Sequence, residues 1–137
     1  MFVRGRPRQV GDMTTILLVE DDPLEAHMIM PLLKREFDDV RRADAAEALG
    51  VIEHADFANE IVLVVSGQLL KGIRKPEFVA ELRERVPELP VLVLGAADDS
   101  PSDYMGENVA FLPRTLATRN MVSLAHKLLE RHKNTVG

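Results

Sequence analysis

Three short runs of aliphatic residues constrain the fold of this chain more than any other feature of its sequence. They are Ile16–Val19, Ile61–Val65 and Val91–Leu94, and each is flanked by polar or turn residues. Runs of this length, rich in β-branched side chains, are typical of parallel strands that are buried on both faces of a sheet. Two weaker strands are predicted at Val40–Ala43, whose arginines favour an edge position, and at Val109–Leu112.

Helical patterns alternate with these strands. Asp22-Pro23-Leu24-Glu25 and Asp44-Ala45-Ala46-Glu47 carry the acid-x-x-Glu spacing of a capping box, and Pro76 is suited to a first helical turn. Pro31 predicts a kink or an early break of the first helix near Met30. The predicted helices run from Asp22 to Phe37, from Asp44 to about Ala55, from Pro76 to Val86, briefly within 98–107, and from Thr118 to Lys133.

Five alternations of strand and helix predict an α/β fold with a parallel sheet covered on both faces. In open sheets of this kind, ligands and chemistry gather beyond the carboxyl ends of the strands. The residues at those ends are Glu20–Asp22, Ser66–Gly67, Gly95–Ala97 and Pro113–Thr115.

Composition narrows the function classes. The chain has 137 residues, which fits one domain, and a net charge of −5. The absence of cysteine excludes disulfides, thiolate zinc sites and a cysteine nucleophile, and it favours a cytoplasmic location. The longest aliphatic run, Ile61–Val65, is too short to span a membrane, and no signal-peptide core is recognisable.

The acidic body argues against nucleic acid as a partner, because it repels phosphates and offers few aromatic rings for stacking. Residues 1–13 differ, forming a basic tail that is predicted to be disordered. Their Arg4-Gly5-Arg6-Pro7 resembles the core of an AT-hook, which binds A·T minor grooves, but a four-residue match is weak. We expect one domain over 14–133, followed by a short tail at 134–137.

The acidic cluster in Ile16-Leu17-Leu18-Val19-Glu20-Asp21-Asp22-Pro23 resembles the opening motif of response-regulator receiver domains from two-component systems. Pro90–Ala96 resembles the fourth strand of that family, and Ala110–Thr115 resembles its fifth. The resemblance covers roughly residues 14–133. It implies a flavodoxin-like, doubly wound (βα)5 three-layer sandwich with the parallel strand order 2-1-3-4-5.

The family site consists of two acids after strand one, a phosphoacceptor aspartate after strand three, a hydroxyl residue after strand four and a lysine after strand five. The three acids hold Mg²⁺, and the hydroxyl and the lysine bind the phosphoryl group. The resemblance maps the two acids onto Glu20 and Asp21, the acceptor onto Ser66 or Gly67, the hydroxyl onto Gly95, the lysine onto Arg114, and the switch aromatic onto Phe111.

This mapping predicts a degenerate phosphorylation pocket. No aspartate occurs between Asp56 and Asp98, so no alignment register supplies the acceptor, and Gly95 has no side chain. Ser66 is a poor nucleophile without an adjacent base. We therefore expect no cofactor and at most weak Mg²⁺ binding by Glu20 and Asp21. Arg114 either pairs with those two carboxylates in place of a metal or points into solvent.

The sequence thus predicts a stand-alone pseudo-receiver that is not an enzyme and acts by protein–protein interaction, independently of phosphorylation. Its expected partners are a histidine kinase, a phosphotransfer protein or a downstream protein. The family also implies a homodimer through the fourth and fifth predicted helices. With four residues after Lys133, no attached DNA-binding effector is expected.

Two alternatives stay open at this point. One is a working receiver that accepts phosphoryl groups on a non-standard residue. The other is an unrelated flavodoxin-like ligand binder, which is disfavoured because Glu20-Asp21-Asp22-Pro23 would repel an anion.

Overall fold

The fold is a single parallel sheet with helices on both faces. The computed structural model describes residues 15–53, 60–67, 70–96, 99–104, 106, 108–113 and 117–136. The described strands pair in parallel in the order β2-β1-β3-β4-β5, so the predicted flavodoxin-like α/β fold is confirmed. The elements are β1 (Thr15–Val19), α1 (Pro23–Glu36), β2 (Asp39–Ala43), α2 (Ala45–Glu53), β3 (Ile61–Ser66), α3 (Lys75–Arg85), β4 (Val91–Leu94), the 3₁₀-helix η1 (Pro101–Tyr104), β5 (Val109–Leu112) and α4 (Ala117–Val136).

Two hydrophobic cores flank the sheet because successive strand residues point to opposite faces. On one face, Leu18 and Leu63 pack with residues of α1 and α4 such as Leu33. On the other face, Val64 packs with residues of α2 and α3 such as Phe78. Burial on both faces explains why the central strands read as continuous apolar runs.

The helix starts form as the sequence predicts. The Oδ1 atom of Asp22 accepts the backbone N–H of Leu24 at 3.0 Å, with Pro23 in the first turn. Asp44 and Glu47 form a reciprocal capping box, in which each side chain accepts the backbone N–H of the other residue. These caps fix where α1 and α2 leave the carboxyl edge of the sheet.

Some helix predictions need correction. α1 does not break near Met30 but continues through Pro31 to Glu36. Pro31 and His27 are both exposed, so water can satisfy the His27 carbonyl that the proline leaves without an amide donor. In the described part of 98–107 the structure forms a 3₁₀-helix that Pro101 begins, and α4 extends past Lys133 to Val136.

Candidate functional site

The predicted site residues that the structure describes do meet at the carboxyl edge of the sheet. Glu20 follows β1, Ser66 ends β3, Gly95 follows β4, and Phe111 lies in β5. Arg114 and the basic tail lie outside the described residues, so the predicted pairing of Arg114 with the acidic cluster stays a prediction.

Glu20 is fully buried and lies against Gly67. Its Oε2 atom accepts the backbone N–H of Asp22 at 3.0 Å. The β1–β3 register pairs Val19 with Ser66, which sets Gly67 opposite Glu20. A Cβ atom on Gly67 would lie 2.6 Å from the Cδ and 2.8 Å from the Cβ of Glu20, closer than real Cβ atoms approach. The Glu20 side chain therefore fills the space that any side chain at position 67 would need.

Asp21 and Asp22 are also bound by backbone donors. The Oδ2 atom of Asp21 accepts the N–H of Lys71, in the segment after β3, at 2.6 Å. Asp22 caps α1, as described above. Each of the three acidic side chains after β1 therefore accepts a backbone hydrogen bond within the chain.

Glu20 and Asp21 are the residues that would hold a Mg²⁺ ion at this edge of the sheet. Mg²⁺ needs near-octahedral oxygen ligands and is usually held by carboxylates together with phosphate oxygens. Glu20 and Asp21 are engaged with backbone N–H groups, and neither Ser66 nor Gly67 adds a third carboxylate. Within the described ranges, no group of three histidine, aspartate or glutamate residues is placed to hold a metal ion.

Ser66 is a strand residue with a buried hydroxyl group. It pairs with Val19 on one side and Val93 on the other, and it has no solvent exposure. Its Oγ atom has no hydrogen-bond partner in the described part of the chain. A hydroxyl nucleophile needs an adjacent base and access to its phosphoryl donor. Among the described residues no base is hydrogen-bonded to this hydroxyl, and Ser66 is fully buried.

Phe111 occupies the space beside Gly95. A Cβ atom on Gly95 would lie 3.0 Å and 3.1 Å from the Cε1 and Cε2 atoms of the Phe111 ring. The ring also stacks on Tyr104, with centroids 5.5 Å apart and planes inclined by 23°. The Phe111 ring therefore points towards β4 and contacts both Gly95 and Tyr104.

Lys75 is a site residue that the sequence analysis missed. It lies in the first turn of α3, and its side chain is only 8% exposed. Its ammonium group donates to the carbonyl oxygen of Leu94, the last residue of β4, at 2.9 Å and to Oδ2 of Asp99 at 2.6 Å. The available sequence signal, a lysine just before the Pro76 that opens a helix, reads equally well as an exposed residue.

Asp99 connects Lys75 to the aromatic pair. Besides Lys75, it accepts the N–H of Ala96 at 2.8 Å and the hydroxyl of Tyr104 at 3.1 Å. Burial alone raises the pKa of Asp99, but the hydrogen bonds from Ala96, Lys75 and Tyr104 and the charge of Lys75 outweigh it, so the pKa is lowered. Burial, followed by the negative charge of Asp99, raises the pKa of Tyr104 well above its usual range, which keeps the hydroxyl a donor.

Arg42 is a second cationic residue that the sequence analysis did not assign to the site, and it lies near the acidic residues after β1. The Nε atom of Arg42, at the end of β2, donates to the backbone carbonyl of Glu20 at 3.0 Å. Arg42 lines an open pocket of about 380 Å³ together with Glu20, Asp21, Ala43, Asp44 and Glu47. A guanidinium of the chain itself therefore offsets part of the negative charge at this edge.

No family model and no curated protein sequence matches this chain. Solved structures do. A response regulator receiver domain protein from Clostridium thermocellum has 18% identity and a TM-score of 0.78, covering 89% of this chain and 98% of that chain. A signal receiver domain of an HD domain-containing protein from Pseudomonas fluorescens has 18% identity and a TM-score of 0.76, covering 95% and 96%. A putative response regulator from Chloroflexus aurantiacus has 27% identity and a TM-score of 0.69, covering 85% and 97%.

The chain therefore has the fold of response-regulator receiver domains. Among the helices that the structure describes, none has the length and apolar composition required to cross a membrane.

Proposed function

We propose that this chain is a receiver-like domain of two-component signalling that takes up no phosphoryl group and acts by binding other signalling proteins. The receiver fold supports its place in this kind of signalling. One observation is the main support for the proposed loss of phosphorylation. Glu20 and Phe111 fill the spaces beside two glycines, Gly67 and Gly95, at strand ends where receivers use reactive side chains.

Gly67 is the better counterpart of the phosphoacceptor. Ser66 and Gly67 both correspond to that position on sequence grounds, but the strand register sets Gly67 opposite Glu20, the first of the two acidic positions. A glycine there supplies no carboxylate to attack phosphorus. At the hydroxyl position, Gly95 supplies no donor for phosphoryl oxygens, and the Phe111 ring takes up the space instead.

The main alternative is phosphorylation of Ser66, as in a working receiver with a non-standard acceptor. Its complete burial and its position within the strand ladder count against it. We further propose that Glu20 and Asp21 bind Mg²⁺ weakly if at all, because backbone donors already engage both carboxylates.

The proposed mode of action is binding rather than catalysis. Expected partners are a histidine kinase, a phosphotransfer protein or a downstream protein in the cytoplasm. A homodimer through the segment around η1 and through α4 stays a prediction of the family resemblance.

An NMR titration together with intact-mass analysis tests the proposed function. Amide spectra are recorded with Mg²⁺, then with Mg²⁺ and beryllofluoride, a phosphoryl mimic, and the protein is incubated separately with acetyl phosphate. We expect no added phosphoryl mass and no shifts beyond Glu20 and Asp21. An active receiver domain run in parallel shows that the reagents work.

Two results would contradict the proposal. Widespread shifts around Glu20, Gly67, Gly95 and Phe111 would reveal a surviving switch. Phosphoryl uptake that disappears in Ser66→Ala would establish the alternative acceptor.

A further inference from the structure

Lys75, Asp99, Tyr104 and Phe111 form a continuous chain of contacts, here called the Lys75 clamp, along the carboxyl edge of β4 and β5. The clamp connects the start of α3, the end of β4, the segment leading to η1, and β5. It lies beside the degenerate pocket but uses none of the acidic residues after β1.

The first link is the buried ammonium group. Lys75 and Asp99 are 8% and 17% exposed, and their 2.6 Å ion pair is supported by the Leu94 carbonyl. Removing one partner of a buried pair leaves the other uncompensated, which makes such a pair hard to break. Lys75 therefore fixes Asp99 relative to the end of β4.

The second link passes from Asp99 to the aromatic rings. Asp99 accepts from the N–H of Ala96 and from the hydroxyl of Tyr104, so it connects Ala96, just after β4, to η1. Tyr104 in turn stacks on Phe111. The Lys75 ammonium lies 6.0 Å from the centroid of the Tyr104 ring, a distance at which a cation is attracted to the ring face.

The third link is the space beside Gly95. The Phe111 ring lies where a side chain at position 95 would begin, so its inward position depends on that glycine. Outward movement of the ring would remove its contact with Tyr104 and uncover Gly95. The ring position and the Asp99 hydrogen bonds are therefore coupled through one tyrosine.

We infer that Lys75 is a positioning residue that holds Gly95, Ala96 and residues 99–104, and with them the Phe111 ring, in a single arrangement. A cation of the chain itself thereby fixes this edge of the domain. The inference rests on the proposed function only in that no phosphoryl group is needed, and its test uses none.

Lys75→Met tests the clamp, because it removes the charge and keeps much of the side-chain volume. Lys127→Met, which removes an exposed lysine on α4, is the matched control. The readouts are amide exchange at Ala96 and Asp99, and the NMR signals of a ring-labelled Phe111. Exchange at Ile16 and Leu18 in β1, away from this edge, reports global stability.

In Lys75→Met, protection of Ala96 and Asp99 should fall by about tenfold or more relative to β1, because Asp99 loses its charged hydrogen-bond partner. The Phe111 ring signals should shift or broaden. Tyr104→Phe keeps the ring stack but removes the hydroxyl donor, and it should cause a smaller change at the same positions. Lys127→Met should change neither readout.

Equal loss of protection in β1 and at Ala96 would reduce Lys75 to a general stabilising residue and overturn the inference. Unchanged Phe111 signals in both variants would also overturn it. If Lys75→Met does not fold, Tyr104→Phe decides alone. The Lys75 clamp and the proposed function are tested separately. Phosphoryl uptake by the wild-type protein would refute the proposed function, but it would not change the amide-exchange results that test the clamp.

Discussion

Gly95→Ala tests whether the space beside β4 is as full as the structure indicates. The new Cβ atom would lie 3.0 Å and 3.1 Å from two Phe111 ring carbons, whereas carbon atoms in good contact are about 3.5–4.0 Å apart. The ring must move outward, which strains the packing by about 1–3 kcal/mol. It also endangers the stack with Tyr104, worth about 0.5–1.5 kcal/mol. We expect the free energy of unfolding to fall by about 1–3 kcal/mol from the packing strain, and by up to about 4.5 kcal/mol if the stack with Tyr104 is also lost.

Urea unfolding of four proteins measures this coupling: wild type, Gly95→Ala, Phe111→Leu and the double variant. Leucine lacks the distal ring carbons that the new Cβ would meet. In the Phe111→Leu background, Gly95→Ala should therefore cost at least about 1 kcal/mol less, which is a coupling energy of the size found for residues in contact. The slopes against urea concentration should match, so that the midpoints report stability.

Gly50→Ala is the matched control, because a Cβ atom there meets nothing within 4 Å. Gly50 lies inside α2, where alanine is favoured over glycine by roughly 0.5–1 kcal/mol. The control should therefore be stabilising, opposite in sign to Gly95→Ala. A neutral Gly95→Ala, or an equal cost with and without the Phe111 ring, would refute the packing argument.

Three further predictions concern single side chains. Ser66→Ala should keep or slightly raise the free energy of unfolding in urea, because leaving a buried hydroxyl without a partner costs about 1–3 kcal/mol. Asp99→Asn should be less stable than wild type at pH 7. Because the folded-state pKa of Asp99 is lowered, its contribution is present above about pH 4, the usual pKa of an aspartate, and is lost as the pH falls further. The urea midpoints of the two proteins should therefore converge as the pH is lowered below about 4. Asp22→Ala should lower the free energy of unfolding by about 1 kcal/mol and reduce the amide protection of Leu24, as loss of a helix cap does.

The strands could be predicted closely because their signal is local. The run Val91–Leu94 coincides with β4, and Ile16–Val19 differs from β1 by one residue. A strand buried on both faces has to be apolar along its length, so the apolar run in the sequence begins and ends close to the ends of the strand. The edge position of β2, inferred from its two arginines, follows from the same rule because its outer side faces solvent.

The content of the site could not be predicted in the same way. The ion pair between Lys75 and Asp99 joins residues 24 positions apart, and no local sequence pattern at either residue predicts that they pair. The overlap of Glu20 with Gly67 likewise depends on the register between β1 and β3, which the apolar runs leave open by one residue. The sequence shows that positions 67 and 95 are glycines, but only the packed structure shows that Glu20 and Phe111 occupy the space beside them.

Under the proposed function, the Glu20 side chain beside Gly67 means that Gly67→Asp alone should not create a phosphoacceptor. The Cβ atom of the new aspartate would lie 2.6 Å from the Cδ and 2.8 Å from the Cβ of Glu20. The Glu20 carboxylate can swing away, but its Cβ is fixed to the backbone, so β1 and β3 must also separate locally. We expect Gly67→Asp to lose at least about 1–3 kcal/mol of unfolding free energy in urea, and Glu20→Asp in the same chain to recover only part of it. Intact-mass analysis with acetyl phosphate and Mg²⁺ should find no phosphoryl group on the single variant. Phosphoryl uptake by a variant of unchanged stability would contradict this reasoning, because it would show that the space beside Glu20 accommodates an aspartate that can be phosphorylated.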